Sequence, residues 1–141
     1  MLKSLNLNWM LGLQELGIKS IQEEEGYERR GNLCLTHGTI IRQDSGATAR
    51  GMLKKFGISV IHGHTHRLGS TFKTDLRGMV GAWENGCLCD LKLVKMWGKE
   101  LADWQSGFSV IYFTDHRFQV DQIPIISKTI LYGGQTWNTN P

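Results

Sequence analysis

Val60-Ile61-His62-Gly63-His64-Thr65-His66-Arg67 places three imidazoles on alternate residues directly after a short apolar run. In an extended segment residues i and i+2 point to the same side, about 6.6 Å apart. His64 and His66 are therefore expected to present nitrogens to one spot or to two neighbouring metals, with Gly63 keeping the approach free of side-chain bulk. Three of the chain's 5 histidines fall in this stretch, which favours a metal site over scattered surface imidazoles.

Working upstream, Asn32-Leu33-Cys34-Leu35-Thr36 is an apolar run of strand length that delivers His37-Gly38 at its C-terminal end. A polar residue just beyond a buried strand is how open α/β sheets build sites. Between the two runs, Ala49, Met52, Leu53 and Phe56 fall at i, i+3, i+4 and i+7, with Asp44 or Ser45 as the expected cap and Gly57 as the stop. Strand, helix, strand predicts a βαβ crossover with parallel, neighbouring strands at 32–36 and 58–62. That geometry carries His37 toward His64 and His66.

Further upstream, Asn8 is placed to cap a short helix with Trp9, Leu13 and Leu16 on one face and Gly17 at its end. Glu23 to Arg30 reads as a charged connector or hairpin. Downstream the period changes. Residues 68–73, 78–83, 87–91, 107–113, 118–123 and 125–131 are short runs rich in β-branched and aromatic residues, broken by Glu84-Asn85-Gly86 and Thr114-Asp115-His116. They predict a mostly antiparallel C-terminal half. Trp83, Trp97, Trp104 and Trp137 are expected to be packing residues, His116 a turn residue, and 138–141 a fraying end.

At 141 residues, 40% hydrophobic and 21% charged, the chain has the size and composition of one soluble globular domain. Cys34, Cys87 and Cys89 have no framework spacing and are expected to be reduced, small and mostly buried in a cytoplasmic protein. No apolar run approaches a membrane span, and no signal peptide is read at Met1. The net charge of +3 selects no partner, but between His37 and Arg77 seven basic residues (Arg42, Arg50, Lys54, Lys55, Arg67, Lys73, Arg77) face two acids, Asp44 and Asp75. Such a field favours an anionic substrate such as a phosphate ester, although Arg50, Lys54 and Lys55 also suit a solvated helix face.

Leu33-Cys34-Leu35-Thr36-His37-Gly38, a helix, and Ser59-Val60-Ile61-His62-Gly63-His64-Thr65-His66-Arg67 together resemble the last two blocks of the calcineurin-like metallophosphoesterases. Trp83-Glu84-Asn85-Gly86-Cys87-Leu88-Cys89-Asp90-Leu91 and residues 103–113 resemble the C-terminal part of bacterial and phage members. The resemblance implies an α/β (α+β) chain, half of a four-layer α-β-β-α sandwich. It divides into a helix and connector over 1–30, a βαβ unit over 31–67 and a β-rich part over 68–137, within one partial domain, 1–141.

It also implies that His37 and His64 bind one metal and His66 the other, with a metal-activated water attacking phosphorus. Manganese, iron, zinc and nickel all suit neutral imidazoles. His62, with Gly63, is not a ligand position and is expected to pack behind the ligands. Thr65 and Arg67 are substrate-side candidates by adjacency, and Asp44, Arg42 and Glu84 rank below them. The family's earlier blocks, an Asp-x-His, a Gly-Asp and a Gly-Asn-His, do not occur here. The expectation is a phosphoesterase whose N-terminal half-site comes from a second chain or from self-association, with weak metal binding and little hydrolysis by this chain alone. The alternative is a non-catalytic module that holds a protein or nucleic acid on the same fold. A different metallo-hydrolase with a His-x-His strand fits less well, because Arg67-Leu68-Gly69 follows the motif.

Overall fold

The crossover forms where the pattern places it. The computed structural model describes residues 10–18, 26–96 and 103–138. In it, β1 (Tyr27–Arg30) and β2 (Leu33–Thr36) form a hairpin, α1 (Ala47–Phe56) crosses over, and β3 (Ser59–His62) returns parallel to β2. Next come β4 (Gly69–Asp75), β5 (Gly78–Glu84), a short α2 (Leu91–Met96), and then β6 (Gly107–Phe113), β7 (Phe118–Ile126), β8 (Thr129–Tyr132) and β9 (Gln135–Asn138). One sheet has the order β1-β2-β3-β5-β4 and the other β6-β7-β8-β9. The fold is mixed α and β, strand-rich, with three parallel strands (β2, β3, β5) flanked by antiparallel edges and a second, fully antiparallel sheet.

The register of the parallel strands explains the core. Cys34, Val60 and Ala82 lie side by side on one face and pack against Ala49, Met52 and Leu53 of α1. One residue along, Ile61 and Trp83 turn to the other face, and with Leu33 they meet Ile111, Phe118 and Val120 of the second sheet. Parallel strands covered on both faces read as continuous apolar runs, which is why Leu33-Cys34-Leu35 and Val60-Ile61 carry no alternation. Each fully buried large apolar side chain contributes about 1.5–3 kcal/mol of burial free energy. The order of layers is helix, sheet, sheet.

Several expectations change. Neither Asp44 nor Ser45 caps α1 with its side chain: Gly46 occupies the cap at φ 80°, and the Ser45 hydroxyl donates to the Leu68 carbonyl instead. Gly57 does end the helix, at φ 67° with its N–H on the Leu53 carbonyl. The run 87–91 is not a strand. Cys87 makes an isolated bridge to Ser106, and the Asp90 side chain accepts the Lys92 N–H at 2.8 Å as α2 begins. The run 125–131 breaks at Ser127 and Lys128, whose φ of 50° and 64° suit the tight two-residue turn that pairs Ile126 with Thr129.

In the N-terminal stretch Met10 is helical, whereas residues 11–17 form turns, with Gly12 at φ 59°, and Leu16 is exposed. Gly17 still reverses the chain at φ 67°, while Asn8, Trp9 and Trp97 lie outside the described residues. Trp137 is exposed rather than packed. Thr114 to Arg117 forms the expected turn, with the Thr114 N–H on the Arg117 carbonyl at 2.8 Å. Among the described residues no helix is long and apolar enough to cross a membrane.

Candidate metal centre

Thr36, His62 and Glu84 stand in register at the C-terminal ends of β2, β3 and β5. The segments after them therefore leave one edge of the sheet together, and backbone bonds stitch them: the Gly63 N–H donates to the His37 carbonyl at 3.1 Å, and the Asn85 N–H to the His62 carbonyl at 2.7 Å. This edge is the switch from strand to loop at which open α/β sheets bind ligands.

The histidine stretch is not extended beyond His62. His64 and His66 adopt left-handed conformations, with φ of 67° and 59°, so strict alternation does not bring their rings side by side. A non-glycine residue held there costs on the order of 1 kcal/mol or more and persists only where its surroundings impose it. The imposing contact is Glu84. Thr65, the buried residue between the two histidines, donates its hydroxyl to Glu84 Oε2 at 3.0 Å, and Glu84 Oε1 accepts the Ala49 N–H at 2.9 Å. Glu84 is fully buried, and its carboxylate supplies the cap that α1 lacks in its own sequence.

His37 and His64 converge. Their Nε2 and Nδ1 atoms lie 3.1 Å apart, with ring centroids at 5.0 Å and near-perpendicular planes. His66 goes elsewhere, its ring edge-on to Trp104 at 4.3 Å between centroids. His66 Nδ1 is buried with no hydrogen-bond partner, and so is His62 Nε2. Burial pushes the His62 imidazole below its ordinary pKa, against the opposing pull of the Gly63 carbonyl and Glu84; His64 and His37 push it further down. Burial lowers His66 too, and the neighbouring His64 and His37 add to that. Both rings are thereby biased to the neutral form that metals bind.

Of the other candidates, Thr65 is committed to Glu84, and the Arg67 guanidinium is committed to carbonyls: Nε to Asp103 at 3.1 Å and Nη1 to Arg42, with the Asp103 carboxylate at 3.5 Å. Gly63 is less special than its position between histidines suggests, since an added Cβ would meet only ordinary contacts at 3.8 Å. Gly38 is the glycine the site requires, at φ +88° with the His62 side chain 3.3 Å from where a Cβ would stand. His116 is exposed in its turn at the other end of the strands.

The donor set fits half of a metal site. Two nitrogens bound at about 2.1 Å to one divalent ion sit roughly 3.0–3.4 Å apart, and the His37–His64 pair matches that spacing. Among the described residues no third His, Cys, Asp or Glu joins them in one cluster. Glu84, ranked low among the candidates, and Trp104, expected only to pack, prove to hold the histidine loop and to face His66. The signal for Glu84 was an acid closing an apolar strand in register with His62, which needs the β3–β5 pairing to be seen.

The fold and site define a mixed α/β protein with histidines gathered at the C-terminal edge of parallel strands. No family model and no solved structure matches the chain. It is similar to the "Gene 54 protein" of Mycobacterium phage D29, 32% identical over 104 residues, covering 71% of this chain and 41% of that protein. It is also similar to the "Gene 54 protein" of Mycobacterium phage L5, 32% identical over 106 residues with the same coverage. The chain thus spans about two-fifths of the length of these curated relatives.

Proposed function

We propose that this chain carries part of a metal-dependent phosphoesterase site within a metallophosphoesterase-type sandwich. His37 Nε2 and His64 Nδ1 hold one divalent ion, of manganese, iron, zinc or nickel, and His66 serves a second. The observation that carries the reading is the convergence of His37 and His64 at 3.1 Å from two different strand ends. The chemistry divalent ions supply in such a site is activation of water and neutralisation of phosphoryl charge. The protein's own part is positioning. Glu84 and Thr65 hold the loop that presents His64 and His66, Trp104 covers one side of His66, and Arg67 ties the loop's end to Arg42 and Asp103.

The carboxylates that complete the site come from a second chain or from a second copy of this one. Support comes from the greater length of the relatives, from exposed Phe72, Met79, Ile126 and Leu131, and from edge strands β1, β4, β6 and β9, each paired on one side only among the described residues. The substrate is a phosphomonoester or phosphodiester. The test is Mn²⁺-supported hydrolysis of a bis-aryl phosphodiester by the chain alone and by its complex with the second chain or second copy. The expected result is little turnover by the chain alone and turnover by the complex that is lost on His37→Ala or His64→Ala. Turnover indifferent to both substitutions contradicts the reading.

The absence of a third donor among the described residues favours a second reading, a binding module that holds a protein or nucleic acid without hydrolysis. Under it the histidine substitutions leave binding unchanged, and added salt weakens a nucleic-acid complex steeply.

A further inference from the structure

We infer that Cys87 and Cys89 form a reactive dithiol site that closes to an intramolecular disulfide on exchange with a small-molecule disulfide such as glutathione disulfide. This goes beyond the phosphoesterase reading and does not depend on it. The two Sγ atoms lie 3.3 Å apart across the exposed Leu88, so a modest side-chain rotation brings them to bonding distance. Their exposures differ in the way a two-step exchange needs: Cys89 is open to solvent, whereas Cys87 is buried.

The backbone holds Cys87 in place. Its N–H donates to the Gln105 carbonyl at 3.1 Å, its carbonyl accepts the Gly107 N–H at 3.0 Å, and Gly86 runs so close to the segment leading into β6 that a Cβ would stand 2.7 Å from the Gln105 oxygen. Gln105 in turn donates its N–H to the His66 carbonyl at 2.9 Å, so the dithiol is joined to the histidine loop through one residue. The third cysteine, Cys34, is fully buried in the α1 core and takes no part.

The steps balance. The Cys89 thiolate attacks one sulfur of glutathione disulfide, the S–S bond breaks, and one glutathione leaves as thiolate with Cys89 in a mixed disulfide. Cys87 then loses its proton and attacks Cys89 Sγ, expelling the second glutathione. Two protein thiols are oxidised and one small disulfide is reduced to two thiols. Burial, with help from the Cys89 thiol, pushes Cys87 up to about 11, which makes it the slower first attacker. Once Cys89 is in the mixed disulfide, that neighbour's contribution is relieved.

The test equilibrates the folded protein with glutathione and its disulfide, quenches in acid, and measures the mass of the tryptic peptide spanning residues 78–92. The expected product is lighter by two hydrogens, carries no adduct and reverts with reductant. Cys87→Ser is expected to stop at a glutathione adduct on Cys89, and Cys89→Ser to gain neither bond nor adduct. Because the fold holds the thiols together, the closing equilibrium should be at least about tenfold more favourable than in urea, or about 30 mV. A stable adduct as the wild-type end product, an adduct on Cys87 in Cys89→Ser, a disulfide between two copies, or equal equilibria in folded and unfolded chains would each overturn the inference.

Discussion

Glu84 Oε2 accepts the Thr65 hydroxyl at 3.0 Å, which fixes a buried carboxylate against the one residue that separates His64 from His66. The same carboxylate holds the Ala49 N–H at the start of α1, so a single side chain ties the crossover helix to the histidine loop. Removing it leaves two donors unpaired in a fully buried place. Glu84→Ala is expected to cost about 3–5 kcal/mol, and Thr65→Val about 1–2 kcal/mol. In a urea-denaturation double-mutant cycle the two should be coupled by at least about 1 kcal/mol, whereas additive effects would mean the contact does not hold the loop.

The left-handed backbone at His64 reverses an ordinary preference. Both His64→Gly and His64→Val remove the imidazole, but glycine accepts φ 67° and a β-branched residue resists it. His64→Gly should be more stable than His64→Val by about 2 kcal/mol in chemical denaturation. Equal stabilities would place His64 in an ordinary extended conformation.

Gly38 and Gly63 separate in the same way. Gly38→Ala forces a side chain onto φ +88° and onto the buried His62 ring, and is expected to cost about 2–3 kcal/mol. Gly63→Ala meets only ordinary contact and should stay within about 1 kcal/mol of wild type. Thermal melts of the two variants, read side by side, decide the matter, and the reverse order would contradict the site geometry.

His62 links stability to pH. Its folded-state pKa lies below the ordinary histidine value of about 6.5, so the unfolded chain binds the proton first as pH falls. Stability is full above about 6.5 and declines below it, down to the depressed folded value, by up to about 1.4 kcal/mol per pH unit from this residue. His62→Gln is expected to lower stability at pH 7.5 and to flatten that decline between pH 6.5 and 5. An unchanged slope would mean that His62 titrates alike in both states.

Much of the frame was legible because it rests on local patterns. Ala49, Met52, Leu53 and Gly57 announced α1, and the flanking apolar runs announced parallel strands covered on both faces. The crossover predicted that His37 would approach both His64 and His66, and it meets His64 only. What escaped was what only tertiary pairing creates. The cap of α1 comes from Glu84, 35 positions away, and the expected caps Asp44 and Ser45 are bypassed. His66 parts from His64 because the chain turns left-handed after His62, a departure that a period-2 reading of the stretch does not register. The turn at Ser127-Lys128 was hidden for a related reason, since neither residue is a glycine or asparagine.

The central claim is that His37 and His64 are two ligands of one metal site, and calorimetric titration with Zn²⁺ and Mn²⁺ tests it most directly. Wild type and the variants His37→Ala, His64→Ala and His116→Ala would be compared at one known oligomeric state. Weak binding to the wild type is expected, with loss of that binding in both His37→Ala and His64→Ala and no change in His116→Ala. Binding that survives either of the first two substitutions, or no binding to the wild type at all, would contradict it.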